Sequence, residues 1–152
     1  MKNIWHKILW VFKDKDEKPT PEEKEVIADE IIQRFISNPE TFVLYRGESK
    51  GKTNENGLHF TTDKDWAKSF GDTLLMGSLP KGSIIHHIDQ NDFTEAMDIY
   101  SRIKKMDDKT IFELQLNRHG YDAMIGHDPM NSYVLDVVVH TKHLSRFRVI
   151  ES

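Results

Sequence analysis

A capped amphipathic helix followed by several short strand-like segments restricts this chain to a mixed α+β fold. Thr20 supplies a hydroxyl cap, and Pro21 and two acidic residues follow it in the first turn, as is typical of a helix start. The sequence "SNPE" places the end of this helix near Ser37. The helical period predicts a buried stripe made of Ile27, Ile31 and Phe35 with their neighbours Val26 and Ile32.

The rest of the chain alternates short apolar runs, turns and helical patterns. Strands are predicted at residues 41–47, 58–62, 121–126, 132–140 and 145–150, and two more on either side of the turn at Pro80-Lys81-Gly82. Helices are predicted at residues 63–70, with Asp63 as the cap, and at 91–106 and 108–120. This order predicts an α+β domain with a mixed, mainly antiparallel core split into two small sheets.

Length and composition indicate one domain. A chain of 152 residues with 30% charged and 38% hydrophobic residues is typical of a single globular unit. We expect this domain over residues 19–152, preceded by a short segment, residues 1–18. The formal net charge of −4 provides no overall basic field for nucleic acid, and the locally basic tail "TKHLSRFRVIES" is expected to be a solvated edge strand.

The N-terminal segment, "MKNIWHKILWVFKDKDEK", predicts a short amphipathic helix and a linker. Ile4, Ile8 and Phe12 recur every four positions, with Trp5 and Leu9 alongside. Packing on the domain or on a partner is favoured over association with a membrane surface, and both interpretations stay open. The apolar runs are shorter than the roughly 20 residues of a membrane span, and no small-residue cleavage site follows, so a cytoplasmic location is expected.

Several kinds of site are disfavoured. The sequence contains no cysteine, which excludes disulfides, thiolate metal ligands and cysteine nucleophiles. His86 and His87 are adjacent, so on a strand they would point to opposite faces, and no carboxylate partner is expected for His140 and His143. No metal site is therefore predicted. The glycine-rich dinucleotide fingerprint, the phosphate loop and the nucleophile elbow are also absent from the sequence.

Two stretches carry candidate binding residues. In "VLYRGES", Arg46 stands at the exit of a buried strand, where a guanidinium either clamps a phosphate or forms a structural ion pair. Gly47 permits close approach of a ligand or supplies an unusual backbone dihedral. In "FTTDKDWAKSFG", Thr61 and Thr62 end a strand, where threonine is also an ordinary strand residue or cap.

Two aromatic residues follow these threonines. Trp66 and Phe70 are four positions apart on the predicted short helix, a spacing more typical of a core-facing pair than of an aromatic platform. Each candidate alone is a weak signal, and only their combined order along the chain favours a binding site.

That order resembles the ADP-ribosyltransferase family, in the bacterial and phage branch that uses an arginine on the first strand. The resemblance is carried by "YRG", a polar loop, "GLHFTTDKDWAKSFG", "LPKGSII" and "GYDAMIG" before a long final strand, and covers about residues 40–150. It implies NAD as the co-substrate, with its diphosphate and ribose on Arg46 and its nicotinamide amide on the Gly47 backbone. It also implies that Phe70 or Trp66 stacks on nicotinamide.

The same resemblance assigns the remaining parts of the site. Thr61 and Thr62 occupy the place of the family's Ser-Thr-Ser-like strand end, which supports the site. The sequence "HDPMN" would be the loop that recognises the acceptor.

One family feature is missing from the sequence. The family places a glutamate at the start of the last active-site strand, bonded to the ribose 2′-hydroxyl, and "HDPMNSYVLDVVVHTKHL" contains no glutamate. Asp136 gives the best register for this role, Asp128 is the second choice, and Glu151 lies beyond the strand. An aspartate reaches about one methylene less far, so reduced activity or an inactive relative is implied.

The resemblance implies a mono-ADP-ribosyltransferase in which Arg46 and Asp136 are catalytic. A protein acceptor is the favoured partner, a nucleic-acid acceptor is less favoured because the chain is acidic, and a phage or mobile-element modifier of host proteins is an analogy. One alternative is a catalytically inactive binding or inhibitory protein on the same scaffold. Another is a phosphotransfer enzyme acting on a 2′-phosphate, which would demand a more basic surface.

Overall fold

A computed structural model describes residues 18–49, 59–102, 106 and 108–151 of the chain. The amphipathic helix expected within residues 1–18 falls on residues 1–17, which lie outside this part, and stays a prediction. The helices and strands of the described residues follow the order and the types that the sequence predicts.

The first described helix, α1 (Pro21–Ser37), begins as predicted. The Thr20 hydroxyl accepts a hydrogen bond from the backbone N–H of Glu23 at 3.2 Å, and the Glu23 carboxylate accepts one from the backbone N–H of Thr20 at 3.4 Å. These reciprocal bonds satisfy two N–H groups that have no partner within the helix.

The buried stripe of α1 differs in part from the prediction. Its buried residues are Ala28, Ile32 and Phe35, whereas Val26 is 39% exposed. Ile31 is partly buried at the side of this stripe. Ala28, Ile32 and Phe35 follow each other at helical spacings of four and three and share one face, and Val26 lies on the opposite side of the helix.

The structure also has two short 3₁₀ helices. Pro39–Thr41 follows α1, and Thr141–Arg146 precedes the last described strand. The other elements are β1 (Leu44–Glu48), β2 (His59–Phe60), α2 (Lys64–Lys68), β3 (Thr73–Gly77), β4 (Ile85–His87), α3 (Gln90–Arg102), α4 (Asp108–His119), β5 (Ala123–Asp128), β6 (Asn131–Val139) and β7 (Arg148–Glu151). The strand β2 is shorter than predicted, because Thr61 makes only an isolated bridge and the chain bends at Thr62.

The strands form two small sheets, and the fold is α+β as expected. One sheet has the order β1-β3-β7 and the other β2-β6-β5-β4. All pairs are antiparallel except β4 with β5. The strands on either side of the Pro80–Gly82 turn do not pair with each other, since β3 belongs to the first sheet and β4 to the second. The basic tail supplies β7, an edge strand as predicted.

The four-stranded sheet is covered on both faces. On one face α1 packs through Ile32 and Phe35 against alternate residues of β6, including Val137. On the other face Leu116 of α4 packs against Val138. Burial of side chains on both faces fixes the register of β6, since a slip of one residue would exchange its two faces.

Candidate functional site

A cleft of about 600 Å³ opens where the two sheets meet. Tyr45 of β1 bridges to Thr61 just after β2, with backbone N···O distances of 2.7 and 2.9 Å, and this contact joins the sheets. The cleft is lined by Tyr45, Arg46, Gly47, Glu48, Ser49, His59, Phe60, Thr61, Trp66, Ala67, Phe70, Asp128, Pro129, Met130, Leu135 and Asp136. Its volume lies within the range typical of small-molecule sites, about 300–1,000 Å³.

Arg46 lies in this cleft and is held by a carboxylate that the sequence analysis did not single out. Its Nε donates to Glu48 Oε1 at 3.3 Å, and the two side chains are only 10% and 7% exposed. Its Nη1 donates to the backbone carbonyl of His59 at 3.1 Å. Burial lowers the pKa of Arg46, and the neighbouring Glu48 carboxylate opposes this shift. The guanidinium is therefore a positioned, charged group.

Gly47 is required by packing and not by an unusual dihedral. The only described glycines with positive φ are Gly82 and Gly120, so that alternative for Gly47 is wrong. A methyl group on Gly47 would lie 1.8 Å from the backbone oxygen of Ala67 in α2. The absent side chain thus lets α2 press directly against β1.

The backbone of Gly47 nevertheless faces the cleft edge of β1. Successive residues of an antiparallel strand direct their N–H and C=O groups to opposite edges. Those of Tyr45 point to Thr61, so those of Gly47 point the same way and away from β3.

Thr61 and Thr62 have separate environments. Thr61 is 6% exposed and lines the cleft, and its hydroxyl accepts a hydrogen bond from the Asp63 N–H at 3.2 Å. Thr62 is not among the residues that line the cleft. Thr61 therefore lies in the cleft lining and Thr62 lies outside it, because the chain bends at Thr62 to enter α2.

The two aromatic residues of this region both line the cleft. The short helix α2 starts at the Asp63 cap, whose carboxylate accepts from the Trp66 N–H at 3.0 Å. Trp66 and Phe70 pack edge to face with ring centroids 5.6 Å apart. Phe70 remains 57% exposed, so the core-facing interpretation of this pair is wrong. The pair forms an aromatic wall of the cleft.

Asp136 enters the cleft from β6 and is paired with a histidine. His59 Nδ1 lies 3.0 Å from each carboxylate oxygen of Asp136, across 77 residues of sequence. The side chains of His59 and Asp136 are 27% and 23% exposed. Within the described residues, His59 is the one group bonded to this carboxylate.

The second-choice carboxylate, Asp128, also lines the cleft but serves the turn between β5 and β6. Its Oδ1 accepts from the Met130 N–H at 2.9 Å, and Met130 itself is 93% exposed at the cleft. Glu151 is remote from the cleft lining and pairs with Lys64 and Lys68 of α2.

Sequence reasoning missed Glu48 and His59. Both carry a signal, since residues two apart on a strand share a face. By this rule Glu48 lies on the same face as Arg46, and His59 lies on the same face as Thr61. The partner of His59 had no such signal because Asp136 is distant in sequence.

Several of the described histidines outside the cleft are paired with carboxylates. The described residues contain no group of three or more histidine, aspartate and glutamate side chains placed to hold a metal ion. His143 Nε2 lies 2.8 Å from Asp122 Oδ1, so the expectation of no carboxylate partner is wrong for this histidine. The partner was missed because it lies 21 residues earlier, at the start of β5.

Comparison of the chain with protein-family models, with curated proteins and with solved structures finds no match. Among the described helices, none is both long enough and apolar enough to cross a membrane.

Proposed function

We propose that the protein is a mono-ADP-ribosyltransferase that cleaves NAD and transfers ADP-ribose to a macromolecular acceptor. The observation that carries the proposal is that Arg46, Gly47, Thr61 and Asp136 line one cleft together with the aromatic pair Trp66–Phe70. These are the residues that the family resemblance implies, and they come from four separate segments of the chain.

The binding roles follow from the chemistry of each group. The buried guanidinium of Arg46 suits a phosphate of the NAD diphosphate. The N–H and C=O of Gly47, on the edge of β1 that points away from β3, offer a donor and an acceptor of the kind that a nicotinamide amide requires. Trp66 and Phe70 offer a π surface for the cationic nicotinamide ring.

The chemical step needs stabilisation of positive charge. When the bond between nicotinamide nitrogen and ribose C1′ breaks, nicotinamide leaves with the electron pair and the ribose becomes an oxocarbenium-like cation. An acceptor nucleophile then bonds to C1′ and loses its proton. Asp136 is the carboxylate that would stabilise this cation through the 2′-hydroxyl, as fixed charges do when they are held in place before reaction.

The charge of the cleft favours this step. One cation, Arg46, stands against the three carboxylates Glu48, Asp128 and Asp136 among the described residues that line it. During the step the positive charge moves from the nicotinamide ring to the ribose, so a carboxylate held beside the ribose stabilises the transition state more than the ground state. The diphosphate then depends on the local contact with Arg46.

A second candidate is a binding or inhibitory protein that keeps the NAD cleft without the transfer reaction. Asp136 is a shorter carboxylate than the family's glutamate, and both of its oxygens already lie 3.0 Å from His59 Nδ1. This second candidate would bind NAD or ADP-ribose and leave the glycosidic bond intact.

Nicotinamide release from NAD tests the proposal. Purified protein is incubated with NAD, with and without a bacterial lysate as the source of acceptor, and nicotinamide is quantified by chromatography. Arg46→Lys removes the fork geometry of the guanidinium and is expected to lower release by about 10-fold or more. Arg102→Lys, on the exposed surface of α3, is the matched control and should leave release unchanged.

The outcomes separate the candidates. Release by the wild type that depends on Arg46 supports the transferase, and mass spectrometry of the lysate then locates ADP-ribose on the acceptor, which we expect to be a protein of a bacterial or host-cell cytosol. NAD binding by calorimetry without release supports the binding protein. Absence of both binding and release contradicts both proposals.

A further inference from the structure

His59 connects the two residues proposed to be catalytic. Its backbone carbonyl accepts a hydrogen bond from Arg46 Nη1 at 3.1 Å, and its ring nitrogen Nδ1 lies 3.0 Å from both oxygens of Asp136. Arg46 comes from β1 in one sheet, and Asp136 comes from β6 in the other. One residue therefore sets the position of the guanidinium by its backbone and the position of the carboxylate by its side chain.

The imidazole ring of His59 lies close to charged groups and to one apolar ring. Arg46 of β1, which is paired with Glu48, contacts the backbone carbonyl of His59, the ring lies 3.0 Å from Asp136 of β6, and Asp128 at the end of β5 lines the same cleft. From α4 the apolar ring of Phe112 packs edge-on against it, at 5.5 Å between ring centroids. Asp136 is a carboxylate bonded to the imidazole, so a charge on the ring affects it directly.

The two charge states have different consequences for catalysis. A neutral imidazole with its hydrogen on Nδ1 donates to Asp136 and orients the carboxylate while leaving its negative charge intact. An imidazolium makes the same contact but offsets that negative charge, and it adds a cation beside the place where the ribose becomes positive. The neutral state thus favours the chemical step, whereas the charged state opposes it.

We propose that His59 is a positioning residue of the transfer reaction, which in its neutral state holds Asp136 as a charged carboxylate and on protonation slows the chemical step. This inference rests on the proposed function. An aspartate stands where the family has a longer glutamate. The hydrogen bond from His59 on β2 would give this shorter side chain on β6 the orientation that it needs.

Two substitutions of His59 separate orientation from charge. In His59→Asn the side-chain amide places an N–H donor close to the position of Nδ1 and cannot become charged. His59→Leu removes the donor and retains bulk. His87→Asn, at an exposed site on β4, is the matched control.

The kinetic test is the dependence of kcat and KM for NAD on pH, between about pH 5 and 8.5. For the wild type we expect kcat to fall as pH is lowered, because protonation of His59 opposes the cation. His59→Asn should keep kcat within about 10-fold at pH 8 and lose the acid decline. His59→Leu should lower kcat by about 100-fold with little change in KM, because misplacement of a catalytic group by about 1 Å has effects of this size. His87→Asn should behave as the wild type.

Nuclear magnetic resonance of the histidine ring tests the pairing without any turnover. The ring nitrogens of His59 are titrated in the wild type and in Asp136→Asn. Loss of the carboxylate should move the midpoint of the ring titration to lower pH, because an opposite charge at this distance favours the protonated ring. The titrations of the other histidines should stay in place.

Three results would overturn the inference. An unmoved His59 titration in Asp136→Asn means that the pair does not form. An active wild type whose acid decline persists in His59→Asn refutes the role of His59 and leaves the proposed function standing. A wild type without turnover refutes the proposed function and this role together.

Discussion

Two histidine–aspartate pairs with similar contact distances occupy different regions of the molecule. In the cleft, His59 and Asp136 lie 3.0 Å apart and their side chains are 27% and 23% exposed. At the start of β5, His143 and Asp122 lie 2.8 Å apart and are 13% and 15% exposed. The residue types are the same, and the difference lies in what else each carboxylate contacts.

The carboxylate of Asp122 accepts hydrogen bonds from three donors of the protein. It accepts from the Ile84 N–H at 2.6 Å, from His143 Nε2 at 2.8 Å and from Lys142 Nζ at 2.9 Å. Burial alone would raise the pKa of Asp122, but these bonds outweigh it and lower the pKa to about 2. Asp136 has His59 alone among the described residues and faces a cleft. A carboxylate that is bonded to three protein donors stabilises the fold. A carboxylate that is bonded to a single residue and faces a cleft is available to a ligand.

The largest expected contrast is in turnover. Asp136→Asn keeps the shape of the side chain and removes its charge, so we expect nicotinamide release to fall by about 100- to 1,000-fold, the usual effect of deleting one preorganised electrostatic group. Asp122→Asn should change release by less than about threefold at 25 °C. Chromatographic rate measurements on both variants decide this, and equal losses would remove the functional distinction between the two pairs.

For the free energy of unfolding we expect the opposite order, with a larger loss at Asp122 than at Asp136. Asp122→Ala leaves His143, Lys142 and the Ile84 N–H without their acceptor, and we expect a loss of about 2–3 kcal/mol in the free energy of unfolding. Asp136→Ala should cost about 1 kcal/mol or less, since its pair is more exposed. Urea denaturation followed by circular dichroism measures both values. A greater loss for Asp136→Ala would show that the cleft pair is the structural one.

The contribution of Asp122 to the free energy of unfolding should decrease in acid. The folded pKa of Asp122, about 2, is below its ordinary value of 3.8, so its stabilising contribution is complete above about pH 4 and is lost as pH falls towards 2. The difference in unfolding free energy between the wild type and Asp122→Asn should therefore shrink over this range. Urea titrations at several pH values test the prediction, and a constant difference would contradict it.

The smallest effect concerns the exposed donor of the Asp122 cluster. The Lys142 side chain is 53% exposed, so its ion pair with Asp122 is screened by solvent. Lys142→Ala should lower the free energy of unfolding by less than about 1 kcal/mol. Repeating the denaturation in high salt is a control, because the wild type should then approach the variant. A cost above 2 kcal/mol would mean that the lysine, and not His143, dominates the cluster.

Local structure was predictable because its causes are local. The Thr20 and Asp63 caps both accept the hydrogen bonds that their sequence positions imply. These features depend on short stretches with a capping residue. Asp136 was chosen by the family resemblance and not by a local pattern, and it lines the cleft that contains Arg46.

Contacts between distant segments were not predictable in the same way. The spacing of β3 and β4 suggests neighbours, yet they join different sheets because β4 pairs in parallel with β5. The role of Glu48 was missed since its significance depends on the burial of Arg46. The sequence does not show that β2 ends before Thr62, which lies outside the cleft lining.

The contact between Gly47 and Ala67 affects how a mutational scan of this protein should be interpreted. Any side chain at position 47 would collide with a helix backbone and displace Trp66 and Phe70 along with it. Loss of function after Gly47→Ala would thus report a shifted aromatic wall, and would not by itself identify a ligand hydrogen bond to this backbone.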